Sequence, residues 1–142
     1  MTEKELWKML KPTFDGLGMA TRLENTAGTS VPDVLFVGKG VFVFIELKIQ
    51  HGNKFYCPPF QWAYAIRASS HVRPHNHWYL VALDNRSPMR MFTVDRLKKQ
   101  ADFVYTSDKL EVNLSRVTPE FVLETPKDLR KWFKYVEEQE YE

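Results

Sequence analysis

Val41-Phe42-Val43-Phe44-Ile45-Glu46-Leu47-Lys48 is the stretch of sequence that decides the fold. Its first five residues are all apolar, which is typical of a strand that is covered on both faces of a sheet. Glu46 and Lys48 then enter this buried pattern. Because residues two apart on a strand point to the same face, a carboxylate and an ammonium project side by side near the strand's end. Removing either from water is costly unless it is paired or bound, so the stretch predicts a functional site.

A second acid, Asp33, lies in the preceding predicted strand, residues 31–37, and Gly38-Lys39-Gly40 separates the two strands as a hairpin turn. If the loop has two residues, or four, the register places Asp33 directly opposite Glu46. Opposed side chains have Cβ atoms roughly 4.5–5.5 Å apart, which suits two carboxylates that share one divalent cation. A three-residue loop without a bulge would put the acids on opposite faces. The number of residues in the turn therefore tests whether the two acids can share a metal ion.

Two carboxylates beside a lysine meet the needs of phosphodiester hydrolysis. Oxygen-rich acidic sites hold Mg²⁺ or Mn²⁺ while waters stay on the ion. Such an ion polarises a phosphate and lowers the pKa of a bound water. A neighbouring lysine can position or deprotonate that water and offset phosphate charge. The residue types at this strand end therefore indicate a metal-dependent phosphodiesterase.

The rest of the chain alternates helix and strand patterns, which predicts an α/β protein. A helix is predicted to begin after Thr2, because Thr2 and Glu5 have the three-residue spacing of a capping box. Further elements are predicted as a strand over 19–24, a helix over 60–70 with Pro58 and Pro59 in its first turn, strands over 78–83 and 90–94, a helical turn over 95–100, and a last helix after 125–128. Residues 103–117 fit neither pattern.

Length and composition narrow the class of protein. The chain has 142 residues, a formal net charge of +2 and a single cysteine, Cys57, which cannot form an internal disulfide. We expect one domain of residues 1–142 in a reducing, intracellular compartment. The longest uninterrupted apolar run, residues 41–45, is far below the ~20 residues that span a bilayer, so no membrane insertion is expected. The mildly basic balance permits a nucleic-acid partner without requiring one.

Val31-Pro32-Asp33 followed by Glu46-Leu47-Lys48 resembles the PD-(D/E)XK nuclease signature. More narrowly, the chain is similar to small VRR-type nucleases and Holliday-junction resolvases, which carry an acid on a helix before the signature; Glu5 occupies that place here. The resemblance implies an α/β restriction-endonuclease-like fold, with a central mixed sheet flanked by helices. It also implies a signature core over about residues 2–94 and a C-terminal extension over about 95–142.

The same resemblance implies roles for individual residues. Asp33, Glu46, the carbonyl of Leu47 and Glu5 would be ligands of Mg²⁺ or Mn²⁺. Lys48 would be the catalytic lysine, and Gln61 matches a glutamine that follows the signature in the VRR-type branch and faces the active site. Ser30 resembles a hydroxyl that precedes the signature in archaeal resolvases.

The implied activity is that of a Mg²⁺-dependent DNA endonuclease that acts on Holliday junctions or other branched DNA. The resemblance further implies a homodimer, a phage or mobile-element origin and a cytoplasmic location, that of the host if the protein is phage-encoded. A nickase or flap nuclease with the same site is the alternative among enzymes. A DNA-binding accessory protein that no longer cuts, and a plain structural subunit, are the alternatives from other classes.

Several candidate residues also have ordinary structural interpretations. Glu5 stands where a capping-box glutamate belongs, and Glu24 is its rival as the accessory acid. His71, His75 and His77 invite a transition-metal interpretation, but Pro74 interrupts them, so we expect a solvent-facing polar loop. Four residues after the signature have side chains that are positively charged or can become so: Lys54, Arg67, His71 and Arg73. They either contact a DNA backbone or form an ordinary charged surface.

Overall fold

A computed structural model describes residues 1–23, 32–83 and 88–141. Four helices are present in these ranges: α1 (Glu3–Leu17), α2 (Pro59–Ser69), α3 (Val94–Gln100) and α4 (Leu129–Glu140). The strands are β1 (Met19–Arg22), β2 (Val34–Gly38), β3 (Val41–Gln50), β4 (Lys54–Cys57), β5 (His77–Leu83), β6 (Met89–Thr93), β7 (Asp102–Tyr105), β8 (Leu110–Asn113) and β9 (Phe121–Leu123). Two short 3₁₀ helices span Pro74–Asn76 and Pro126–Asp128. No described helix is long and apolar enough to cross a membrane.

The main sheet has six strands in the order β1-β2-β3-β5-β6-β9. Only the central pair β3 and β5 is parallel; the other pairs are antiparallel. A parallel neighbour needs a crossover connection, and here β4, α2 and a 3₁₀ helix provide it. The sheet is thus mixed and flanked by helices, which confirms the predicted α/β fold class.

The β2–β3 hairpin has the register that the sequence predicts. Gly38 pairs with Val41, so the loop has two residues, and Val34 pairs with Ile45 at the other end. Lys39 and Gly40 both have positive φ, 49° and 78°, as a type I′ turn requires. Extending this register by one residue places Asp33 opposite Glu46. The predicted two-residue turn and the strand register that follows from it are therefore confirmed.

One face of the main sheet is covered by α1 and α4 and forms an apolar core. Ile45 and Leu47 of β3 belong to this core and are fully buried. Trp132 of α4 is its centre, with ring centroids 6.1 Å from Phe14 of α1 and 5.9 Å from Trp78 of β5. Aromatic edges packed in this way add to the stabilisation that burial provides. This face therefore anchors both ends of the chain to the sheet.

The opposite face is covered by α2, α3 and a second, three-stranded sheet in the order β4-β8-β7. Phe55 of β4 and Val112 of β8 pack there against Tyr79 and Val81 of β5. The sequence predicted neither β4 nor the second sheet. Its strands have only four residues each, which is too short for a periodicity to stand out.

The histidine-rich segment is not the solvent-facing loop that the sequence suggested. His71 is exposed, but His75 is buried and its Nε2 lies 2.8 Å from Oε2 of Glu140 in α4. His77 begins β5 and is almost fully buried between Phe44 and Tyr79. The prediction was wrong for these two histidines because Pro74 starts a 3₁₀ turn that leads directly into a central strand.

Candidate active site

Asp33 is held at the start of β2 by bonds to both neighbouring strand ends. Its side-chain Oδ2 accepts a hydrogen bond of 2.9 Å from the backbone N–H of Leu47 in β3. Its backbone carbonyl accepts one of 2.8 Å from the N–H of Leu23, just after β1. A carboxylate that accepts a backbone N–H is fixed in direction. Asp33 is therefore oriented toward the end of β3 where Glu46 and Lys48 lie.

Glu46 and Lys48 are buried on the face of β3 opposite to the apolar core, with exposed fractions of 1% and 7%. Burial, and then the neighbouring Asp33 carboxylate, raises the pKa of Glu46 well above its ordinary value, while the Lys48 ammonium opposes this. Oε2 of Glu46 has no hydrogen-bond partner among the described residues. A buried carboxylate oxygen in this state is able to accept a ligand or a proton.

The acid that α1 brings to this end of the sheet is Glu3 and not Glu5. Glu5 is exposed and belongs to the helix cap: Thr2 Oγ1 donates to Glu5 Oε1, and the Glu5 N–H donates to Thr2 Oγ1, both at 3.1 Å. Glu3 is half-buried and lines a cleft of about 310 Å³ with Lys48. Burial raises its pKa, Lys48 opposes the rise and Asp33 adds to it, so all three charges act on one another.

Helical periodicity contains the signal that identifies Glu3. Glu3 precedes the buried residues Leu6 and Leu10 by three and seven positions, so it lies on the face of α1 that packs against the sheet. Glu5 lies on the solvent side of the same turn. Glu24 and Ser30, the other acid and the hydroxyl considered from the sequence, lie outside the described residues.

Gln61 lies in the first turn of α2, where its backbone N–H donates to the carbonyl of Pro58. Its side chain is buried, and Oε1 has no hydrogen-bond partner among the described residues. The helix starts just after Cys57, whose thiol lies in the electrostatic field of Lys48 and Glu46. Burial raises the pKa of that thiol to about 11, so it is uncharged at neutral pH. The start of α2 is thus at the same end of the sheet as the two acids.

The residues present fit a hard divalent cation. Asp33 and Glu46 offer carboxylate oxygens from opposed strand positions, and Mg²⁺ usually takes one or two such ligands together with waters and substrate phosphates. Within residues 1–23, 32–83 and 88–141, no three His, Cys, Asp or Glu side chains form a group that could hold a metal by themselves. The unpartnered Oε2 of Glu46 supplies an oxygen that is available for coordination.

Two acids and a lysine at adjacent strand ends, on a mixed sheet flanked by helices, define a nuclease of the PD-(D/E)XK class. A family model described as archaeal Holliday junction resolvase (Hjc) matches residues 1–121. The chain therefore belongs to this family of Holliday junction resolvases, structure-selective endonucleases that hydrolyse DNA phosphodiester bonds with the help of a metal ion. The match includes every described element from α1 to β8.

A solved structure shows the same kind of fold. The Holliday junction resolvase Hjc of Archaeoglobus fulgidus aligns with a TM-score of 0.54 and 15% identity, over 89% of this chain and 98% of that one. D212, a nuclease from a fusselovirus, aligns with a TM-score of 0.47 and 8% identity, over 96% of this chain and 86% of that one. A sequence search of curated proteins found no match.

Proposed function

We propose that this chain cuts four-way DNA junctions with Mg²⁺, for which Mn²⁺ can substitute, held by Asp33, Glu46 and the carbonyl of Leu47. The observation that supports this most is the pairing of the two acids: Asp33 is bonded to the backbone beside Glu46 and stands opposite it in the register. Both acids lie on the face that also carries the buried Lys48. When bound, the cation polarises the scissile phosphate and lowers the pKa of a coordinated water.

The protein's own groups supply the rest of the chemistry. Lys48 is placed to offset phosphate charge and to take or hold a proton of the attacking water. Gln61 orients the water or the phosphate through its unpartnered side-chain oxygen and its amide N–H donors. Glu3 takes the role of accessory acid that the family resemblance gave to Glu5, because it shares the cleft with Lys48. These groups act mainly by placing charge where it develops in the transition state.

The segment that follows Glu46 in the sequence is the proposed DNA-binding surface next to this site. Between Glu46 and Asp84 the sequence has no Asp or Glu, yet it holds four Lys or Arg residues and all four histidines. Arg67 and His71 are exposed on and just after α2. An exposed arginine such as Arg67 attracts DNA phosphates. We expect Arg67→Ala to weaken junction binding and to reduce its salt dependence by about one phosphate contact.

A homodimer would bring together the two sites that are needed to cut two strands. Met19, Val37 and Phe42 are neighbours across β1, β2 and β3, and each is at least a third exposed. This apolar row lies on the same face of the sheet as Glu46. A second copy of the chain on this row would remove these apolar side chains from water. Sedimentation analysis tests this, because Phe42→Glu should then yield monomers.

The central experiment is cleavage of a synthetic four-way junction and of a matched linear duplex, with Mg²⁺ or with EDTA. Wild-type protein is expected to cut only the junction, and only when the cation is present. The Asp33→Asn and Lys48→Met variants are expected to bind the junction without cutting it. Junction binding by wild type without cutting under any divalent ion would instead support the DNA-binding accessory protein. Cutting of flaps or nicking of duplex in preference to junctions would support the alternative nuclease specificity.

A further inference from the structure

Tyr79 is a buried polar side chain for which the apolar packing gives no explanation. It lies in the centre of β5, is fully buried, and its hydroxyl has no hydrogen-bond partner among the described residues. Its ring is stacked between Phe55 at 5.5 Å and His77 at 6.4 Å, with interplanar angles of 24° and 6°. The ring direction is therefore fixed by its neighbours. A buried tyrosine hydroxyl normally has a partner, so this one is expected to serve a further group.

The residue paired with Tyr79 on the neighbouring strand is the candidate ligand Glu46. Tyr79 and Glu46 are direct neighbours in the parallel pairing of β3 and β5, and both point to the same face of the sheet. After burial, the Glu46 carboxylate is the strongest influence that raises the pKa of Tyr79, followed by Cys57 and Asp33. The register therefore places the side chain of Tyr79 next to that of Glu46 on one face of the sheet. Among the described residues, neither the Tyr79 hydroxyl nor Oε2 of Glu46 has a hydrogen-bond partner, so the two atoms do not bond each other in this structure and both remain available.

We propose that Tyr79 is a positioning residue: when Glu46 binds the cation, the Tyr79 hydroxyl donates a hydrogen bond to the Glu46 carboxylate and holds it in the orientation of a metal ligand. The inference rests on the proposed function, since it assumes that Glu46 binds the cation. Partners behind a ligating carboxylate fix its direction, and their loss typically weakens metal affinity or activity by 10–100-fold. Tyr79 itself touches neither cation nor DNA in this arrangement.

The test is the isosteric variant Tyr79→Phe, with Tyr105→Phe as the matched control because Tyr105 is exposed at the end of β7. Calorimetric titration with Mn²⁺ in the absence of DNA should give about tenfold weaker binding for Tyr79→Phe and unchanged binding for Tyr105→Phe. In junction cleavage, the Mg²⁺ concentration for half-maximal rate should rise by a similar factor. The rate at saturating Mg²⁺ should recover, which a general structural defect would not produce.

A double-mutant cycle with Glu46→Gln supplies the second readout. If Tyr79 acts through Glu46, then Tyr79→Phe has no further effect on residual Mn²⁺ binding in the Glu46→Gln background. Tyr79→Phe that binds Mn²⁺ within twofold of wild type, or that no longer folds, overturns the inference alone. Wild-type protein that binds no Mn²⁺ overturns it together with the proposed function.

Discussion

The two faces of β3 are chemically opposite where the strand is most buried, over residues 45–48. Ile45 and Leu47 enter the apolar core under α1 and α4, where burial alone satisfies them. Glu46 and Lys48 enter the other face, where the described residues with unpartnered polar atoms are Glu46, Gln61, His77 and Tyr79. The difference shows that burial has two uses in this protein. Burial on one face contributes free energy of folding. Burial on the other face holds polar side chains that can bind a ligand.

The adjacent residues Leu47 and Lys48 provide the sharpest way to separate the two faces. Leu47→Ala removes a fully buried side chain and should lower the free energy of unfolding by about 2–5 kcal/mol. Lys48→Met keeps the length of the side chain but removes the charge, and single-turnover junction cleavage should fall by about 10²–10³-fold. Urea unfolding of both variants completes the comparison. A Lys48→Met protein that cuts at the wild-type rate would contradict the assignment of the second face.

His77 extends the polar character of the second face away from the acids. Burial lowers its pKa from 6.5 to about 4, so the unfolded chain takes up the proton more readily than the folded chain. The stability that neutral His77 confers is complete above pH 6.5 and declines as the pH falls toward 4, by about 3 kcal/mol in all. His77→Phe should remove this part of the acid sensitivity. Unfolding curves of both proteins from pH 7 to pH 4 test it, and parallel curves would refute it.

Glu3 and Glu5 form a matched pair on one turn of α1, one at the cleft and one in the cap. Glu3→Gln should reduce junction cleavage by about 10–100-fold, the usual effect of losing a group that supports a metal ligand. Glu5→Gln should leave cleavage close to wild type, because glutamine also serves in a capping box. Cleavage rates at saturating junction measure both. A larger loss of cleavage rate in Glu5→Gln than in Glu3→Gln would indicate that Glu5 is the accessory acid.

Glu46→Gln should make the metal-free protein more stable. The raised pKa of Glu46 means that the folded chain holds a proton which the unfolded chain releases, so wild-type stability falls as the pH rises above about 4.5. A neutral amide removes this dependence, so the variant should gain more free energy of unfolding over wild type at pH 8 than at pH 5. Urea unfolding in EDTA at pH 5 and pH 8 measures it. An equal effect at both pH values would be inconsistent with this origin.

The sequence predicted most of the main sheet because its signals are local. The capped start of α1, the Gly-Lys-Gly turn and the two prolines before α2 each specify a short segment, and the register of the acids follows from the turn. The sequence did not single out Glu3, because the spacing in the family was counted to Glu5, which also fits a capping box. His77 and Tyr79 could not be assigned, since their burial depends on the second sheet, whose strands are brought together from distant parts of the chain.

The type I′ turn at Lys39 and Gly40 imposes a parity rule on this hairpin. Adding two residues to the turn would leave Asp33 and Glu46 on one face, because the alternation of side chains repeats every second position. Adding one residue would rotate one of them toward α1 and α4 unless a bulge absorbed it. Loop grafting here is therefore tolerated in even steps and is destructive in odd ones, even though the turn itself touches neither carboxylate.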